Sequence, residues 1–330
     1  MKVVQLWRFP VKSMGGGQVE RVHLDKRGVH ADRLWAVRDV EKGVTASARR
    51  VPLLLQCSAR YATEPGRDAG PGNVPEVVIT FPDGRQLSSS DPAVDGVLSE
   101  LVGREMRLVS LRPPQDTSAH RMSAQTMLAN FSAGQVRRDF GLGDADDLPD
   151  TSMFSTRQML TLARYSTPPG TFVDLSPVHV LSTASLRSLS SDGTPYDVRR
   201  FRPNVVVDFD ADVARDGGFP EAAWVGGELH LGGAVLSVTN PTIRCVVPTR
   251  PQPGVELDTS LTRQLAQRTN RLLGVYADVA TPGTIELDDE ATVRLPTPPG
   301  VFGRTAATLG RWGTRTGQKL LEATVLRGKD

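Results

Sequence analysis

The chain of 330 residues holds two cysteines, Cys57 and Cys245. Two thiols are too few for a four-cysteine zinc site or an iron–sulfur cluster held by this chain alone, and in a reducing compartment they seldom pair. Histidine is also sparse. His23, His30, His120, His179 and His230 are scattered without the i, i+4 spacing of a helical metal site, and no HExxH occurs. No apolar run approaches the roughly 20 residues of a membrane span. The segment MKVVQLWRFPVKS lacks the long apolar stretch and small-residue cleavage site of a secretory signal, so a cytoplasmic location is expected. An excess of one charge is missing too. The 39 Lys and Arg against 37 Asp and Glu leave +2, which excludes nucleic acid as an expected partner. A metal, if bound, is therefore expected to arrive inside an organic cofactor.

What is present is a globular composition, 39% hydrophobic and 23% charged. A length of 330 exceeds one core of roughly 100–200 residues, so two domains are expected. The first hundred residues predict many short strands, over 3–9, 19–24, 34–37, 77–81 and 106–109, as in a small barrel or sandwich. One helix interrupts them. Asp91 and Pro92 start it, Val94, Val97, Leu98 and Leu101 make an apolar stripe, and Gly103 ends it. Cys57 follows Leu53-Leu54-Leu55-Gln56, which reads as strand core. Residues 112–170, with Pro113-Pro114, the acidic run 144–147 and Pro168-Pro169-Gly170, read as an irregular connection with a helix over 122–140.

Strands resume in the second half. Val178-His179-Val180-Leu181 leads to Ser182-Thr183, a cap for a short helix. Residues 204–209 form a buried-looking strand. Leu229 and Leu231, Gly232-Gly233, then Ala234, Leu236 and Val238 predict a hairpin with a two-residue turn. Asp258 is read as the cap of a helix that buries Leu261, Leu265 and Leu272 and ends at Gly274. The basic tail, 304–328, reads as a loosely attached helix.

Several residues could carry chemistry. Cys245 stands just past a strand end beside Arg244, a cation that would lower its pKa and favour a thiolate, a soft ligand for a redox metal. On these neighbours alone, an inert buried thiol is an equal alternative. Arg199, Arg200 and Arg202 lie around Phe201 at the mouth of a strand, and planar guanidinium forks suit phosphate, although a solvated strand end would look the same. Lys12 and Ser13 precede Gly15-Gly16-Gly17, where side chains and backbone amides could hold an anion without the order of a Walker loop. Arg33 opens a further strand.

Taken together, Pro10-Val11-Lys12-Ser13, Asp32-Arg33-Leu34-Trp35, Arg200-Phe201-Arg202-Pro203-Asn204 and Arg244-Cys245 resemble, in order and approximate spacing, the MOSC proteins. The type is similar to the mitochondrial amidoxime-reducing component and its bacterial relatives. The resemblance covers about 1–60 and 172–290. It implies a mainly β fold with some α (α+β), a β-barrel-like N-terminal domain over 1–112 and a MOSC β-barrel domain over 171–297. A connection at 113–170 and a tail at 298–330 complete the chain. It implies the molybdenum cofactor, Mo-molybdopterin, with Cys245 as metal ligand and catalytic residue. Lys12, Ser13, Arg33, Arg202 and Asn204 would hold phosphate and pterin, and Arg244, Tyr276 and Ser176 would be further cofactor contacts. The activity implied is reductive oxygen removal from a small N-hydroxylated or N-oxide substrate. Electrons would come from a separate protein, since the chain has no cysteines for a ferredoxin domain. A sulfur carrier using a Cys245 persulfide, or a module that only binds the cofactor, are the alternatives. Ile243 departs from the small or polar residue of relatives, and 112–170 is an extra segment expected to cover or reshape the substrate mouth.

Overall fold

The computed structural model describes residues 1–190, 192–209 and 218–295, so the expected tail helix lies outside the described residues. The first stretch runs β1 (Lys2–Arg8), β2 (Gly17–Val19), β3 (Arg21–Asp25), β4 (Gly28–Val29), β5 (Trp35–Asp39), β6 (Val44–Thr45), β7 (Ser58–Tyr61), β8 (Val77–Thr80) and β9 (Gln86–Ser88). Helix α1 (Val94–Val102) and β10 (Met106–Ser110) follow. Then come α2 (Ala124–Asn130), α3 (Ala133–Phe140) and α4 (Thr156–Arg164). The remainder is β11 (Val178–Ser182), α5 (Thr183–Leu189), β12 (Val205–Asp208), β13 (Glu228–Leu231), β14 (Ala234–Ile243), α6 (Ser260–Thr269), β15 (Leu272–Thr281), β16 (Gly283–Glu286) and β17 (Ala291–Arg294). The architecture is mainly β with helices, as expected.

An eight-stranded sheet runs β17-β13-β14-β15-β11-β12-β1-β2. Its neighbours are antiparallel except β11 and β12, which are parallel. The chain start thus completes a sheet built from the second half, and β3 pairs with β16 in the same way. Strand alternation sorts the side chains. Val178, Val180, Val205, Val207, Val275 and Ala277 enter one core, while Leu181, Val206 and Leu273 pack with Leu186, Leu261 and Leu265 of α5 and α6. Each fully buried Val or Leu contributes about 1.5–3 kcal/mol, so the frame around His179, Asn204 and Tyr276 is rigid. A third core under β5, β7, β8 and α1 takes in Phe172 from beyond the helical connection.

Local chemistry explains most elements. α1 ends on Gly103 in the left-handed region at φ 77°, and Leu231 pairs with Ala234 across the Gly232-Gly233 turn. Ser182 caps α5 by accepting the Ser185 N–H. Four expectations are corrected. Residues Pro52–Gln56 form a 3-10 turn rather than a strand, because Pro52 brings no N–H to a ladder and suits a first turn. The segment 122–140 breaks into α2 and α3, since Ser132 caps a new helix by accepting the Gln135 N–H. α4 was not foreseen; Ser155 and Gln158 start it with a reciprocal capping box. α6 ends on Asn270 at φ 49°, so Leu272 and Gly274 belong to β15, and Asp258 accepts the Ser260 N–H from just outside the helix. Among the described residues no helix is long and apolar enough to cross a membrane.

Candidate functional site

Phe9, just after β1, is the platform of the site. The Arg33 and Arg202 guanidinium carbons lie 5.1 and 4.4 Å from its ring centroid. Both arginines sit at positive φ, 52° and 55°, which turns their side chains out of the strand direction. Asp32 locks one of the pair. Its carboxylate accepts from the Arg33 guanidinium, from the Phe9 N–H at 2.7 Å and from Asn204 Nδ2 at 3.1 Å. Arg202 is different. Both of its terminal nitrogens are buried and, among the described residues, have no hydrogen-bond partner. Burial, with Arg33 nearby, lowers its pKa to about 9. A cation in that state lacks an anion.

Lys12 is 4% exposed and donates to the Phe172 carbonyl at 2.9 Å and to Asp174 at 2.5 Å. Burial lowers its pKa, with Asp174 opposing. Ser13, at φ 72°, accepts the Ala48 N–H at 2.9 Å and so ties the turn after β6 to this loop. The Asp174 side chain is 70% accessible, yet burial is the largest influence on its carboxyl; Lys12, Arg49 and Arg33 outweigh it and hold the group below the usual carboxylate range. With its carboxylate open to water and bonded to the buried Lys12 ammonium, Asp174 stands as one wall of a chamber.

Cys245 follows β14 and has the same character: half-buried, but with burial pushing the thiol pKa up. This corrects the expectation of a lowered value. Arg49 is the first group favouring the thiolate, followed by the Val247 N–H, while Arg244 contributes less. Arg244 directs its donors inward, to the Leu273 carbonyl at 2.8 Å, the Phe201 carbonyl at 3.1 Å and His179 Nε2 at 2.5 Å. Tyr276, on β15, stacks obliquely on His179 at 5.8 Å and is raised to about 12 by burial, with Asp174, Arg244, Cys245 and Arg33 as its charged neighbours.

Comparison with known families decides what this chamber belongs to. The profile of the MOSC N-terminal beta barrel domain matches residues 1–91, and that of the MOSC domain matches 168–292. The chain belongs to the MOSC family. A comparison with curated proteins found no match. Among solved structures, the YUAD protein of Bacillus subtilis is similar at 12% identity and a TM-score of 0.41, over 90% of this chain and 96% of that one. YiiM from Geobacillus stearothermophilus is similar at 17% identity and a TM-score of 0.28, over 38% of this chain and 56% of that one.

MOSC domains are associated with molybdenum-cofactor proteins, and the chamber here joins both matched regions. Cys245, Lys12, Arg33, Arg202 and Tyr276 share charged neighbours, Asp174 above all. Ser176 is buried two residues beyond Asp174, in a loop that Gly28 allows close: a Cβ there would lie 2.5 Å from the Pro177 carbonyl. Asn204 is spent on the frame, since its amide joins the His179 N–H, the Trp7 carbonyl and Asp32. Arg199 and Arg200 point elsewhere: one pairs with Asp197 and the other donates to the Pro248 and Glu256 carbonyls. Gly16 serves close backbone approach, because a Cβ there would lie 2.2 Å from the Arg8 carbonyl, whereas one on Gly17 would meet nothing within 4 Å. Phe9, Arg49 and Asp174 were not singled out by motif, and Asp32, although it opens the Asp32-Arg33-Leu34-Trp35 motif, was given no role of its own. Among the described residues no three His, Cys, Asp or Glu cluster as a metal site.

Proposed function

We propose that this MOSC protein binds the molybdenum cofactor, with Cys245 as its thiolate ligand to the metal, and removes oxygen from N-hydroxylated or N-oxide compounds. The observation that carries the reading is Arg202. A buried guanidinium with two terminal nitrogens unpartnered among the described residues, sharing the Phe9 ring with Arg33, fits the dianionic phosphate of a pterin cofactor. A persulfide carrier needs no such cradle, so the same observation favours the cofactor over that alternative.

When bound, the cofactor supplies the redox-active metal at which the N–O bond is cleaved, with electrons from a separate donor protein. The overall change takes R–N–OH, two electrons and two protons to R–N–H and water. The chain's own residues prepare it. Arg33 and Arg202 bind phosphate, and Phe9 holds their planes in place. Lys12 keeps Asp174 and the Phe172 carbonyl at the chamber wall. Ser13, Ser176 and Tyr276 supply polar contacts to a buried pterin, while Asn204 and Arg244 act through the backbone and His179 that they hold. Cys245 Sγ gives up its proton on ligation, and Arg49 with the Val247 N–H stabilises the resulting thiolate.

The test is elemental and pterin analysis of protein from a cofactor-competent host, beside Cys245→Ser. Wild type should carry molybdenum and pterin, and the variant should lose the metal. Wild type without molybdenum, or with cyanide-labile sulfur in its place, would overturn the reading.

A further inference from the structure

Arg49 stands in this chamber with donors to spare. It lies in the turn after β6, and two contacts fix that turn. Ser13 holds the Ala48 N–H at 2.9 Å, and Arg50 pairs with Asp139 at 2.8 Å. Asp139 in turn accepts the Val246 N–H on its backbone carbonyl at 2.9 Å, which ties α3 to the residue after Cys245. Arg49 sits between these anchors. Its guanidinium reaches Asp139 only at 3.9 Å, and that carboxylate is already bonded by Arg50 and Gln135 at 2.8 and 2.7 Å. Among the described residues the Arg49 guanidinium makes no hydrogen bond, and its side chain is 36% accessible. Its charged neighbours are Cys245, Asp139, Asp174 and Tyr276. A planar fork of donors, held in place and open beside the reacting centre, is suited to a carboxylate.

We infer that Arg49 is the specificity-determining residue, taking a carboxylate or similar oxyanion carried by the N-hydroxylated or N-oxide substrate. This rests on the cofactor reading above and names its substrate class. The same charge disfavours substrates whose product is a cation, such as an amidoxime that becomes an amidinium, because a like charge beside Arg49 is repelled.

The experiment uses the cofactor-loaded protein, in which the Arg33–Arg202 end is taken by phosphate. Calorimetry compares pyridine-3-carboxylate N-oxide with the uncharged pyridine-3-carboxamide N-oxide, and turnover is followed with reduced methyl viologen. Wild type should bind the acid at least about tenfold more tightly than the amide, as expected for a charge-assisted pair. Arg49→Gln should abolish the preference and Arg49→Lys should keep part of it, each read as the acid-to-amide ratio per molybdenum bound. Equal binding of the two compounds by wild type, or a preference that survives in Arg49→Gln, would each overturn the inference. The wild-type comparison decides even if Arg49→Gln misfolds. A wild type that prefers the acid but reduces neither compound would support Arg49 as the anion selector and refute the oxygen-removal reaction instead.

Discussion

Arg244 Nη2 donates to His179 Nε2 at 2.5 Å, and both side chains are buried. A guanidinium can only donate, so Nε2 must carry its lone pair and His179 must be neutral. Burial, then Arg244, holds its pKa well below the ordinary value. Below about pH 6.5 the unfolded chain gains a proton here that the folded chain refuses. Stability from this group is therefore complete above that pH and declines below it, by up to about 1.4 kcal/mol per pH unit. Urea unfolding from pH 7.5 to 5.5 should show this slope in wild type and a shallower one in His179→Gln, whose side-chain carbonyl still accepts from Arg244. His120, also lowered by burial, contributes equally to both proteins. Identical slopes would refute the assignment.

Gly274 makes that pair possible. At φ 76° it brings β15 so close that a Cβ would lie 2.5 Å from His179 Nε2, 2.8 Å from the Val180 carbonyl and 3.2 Å from Arg244. Two of those atoms belong to rigidly held groups. Gly274→Ala should cost about 2–5 kcal/mol, adding left-handed strain to overpacking. A melting temperature unchanged from wild type would contradict the close approach.

The parts of the fold that were legible in the sequence are those written locally. The Gly232-Gly233 turn and the apolar stripe from Val94 to Leu101 need only neighbouring residues to declare themselves. The run before Cys57 was misread because an apolar stretch fits a strand or a buried turn equally well until Pro52 is weighed. The end of α6 was misplaced because Asn270 shares with glycine the ability to adopt the left-handed cap, while Gly274 serves a tertiary contact. In the site, Lys12, Arg33, Arg202 and Cys245 were visible through contiguous motifs. Arg49 and Asp174 became functional candidates only when strands distant in sequence closed on each other. Arg244 shows the reverse: adjacency in sequence pointed to the thiol, but backbone carbonyls and His179 took its donors.

The unpartnered Arg202 implies a trade between stability and binding. An uncompensated buried charge destabilises the cofactor-free fold. Methionine matches the stem of arginine and packs well on an aromatic ring such as Phe9. Arg202→Met, made in a host lacking the cofactor, should be more stable than wild type by about 1–3 kcal/mol in urea unfolding. Made in a competent host, it should lose molybdenum and pterin together, unlike Cys245→Ser, which should lose the metal. A variant less stable than cofactor-free wild type would mean that Arg202 is structural.

Asp139 holds the helical connection against the Cys245 loop. It is 4% exposed, takes Arg50 and Gln135 on its carboxylate, and belongs to a helix end where the Phe140 carbonyl accepts from Arg271 at 3.1 Å. Burial works against its charge, but Arg50 and Arg49 outweigh it and keep its pKa low. Its contribution is therefore present above the unfolded carboxylate pKa of about 3.9 and lost as the pH falls through the lower folded value. Asp139→Asn keeps the size and removes the anion, turning one face of the amide into a donor opposite Arg50. The expected cost is about 1–3 kcal/mol, concentrated in the connection rather than spread over the fold. Hydrogen exchange followed by mass spectrometry should show faster exchange across α2 and α3, with β11 and β12 unchanged, because those strands draw their protection from cores that Asp139 does not touch. Equal acceleration in β11 and β12 would show instead that the connection is part of the global folding unit.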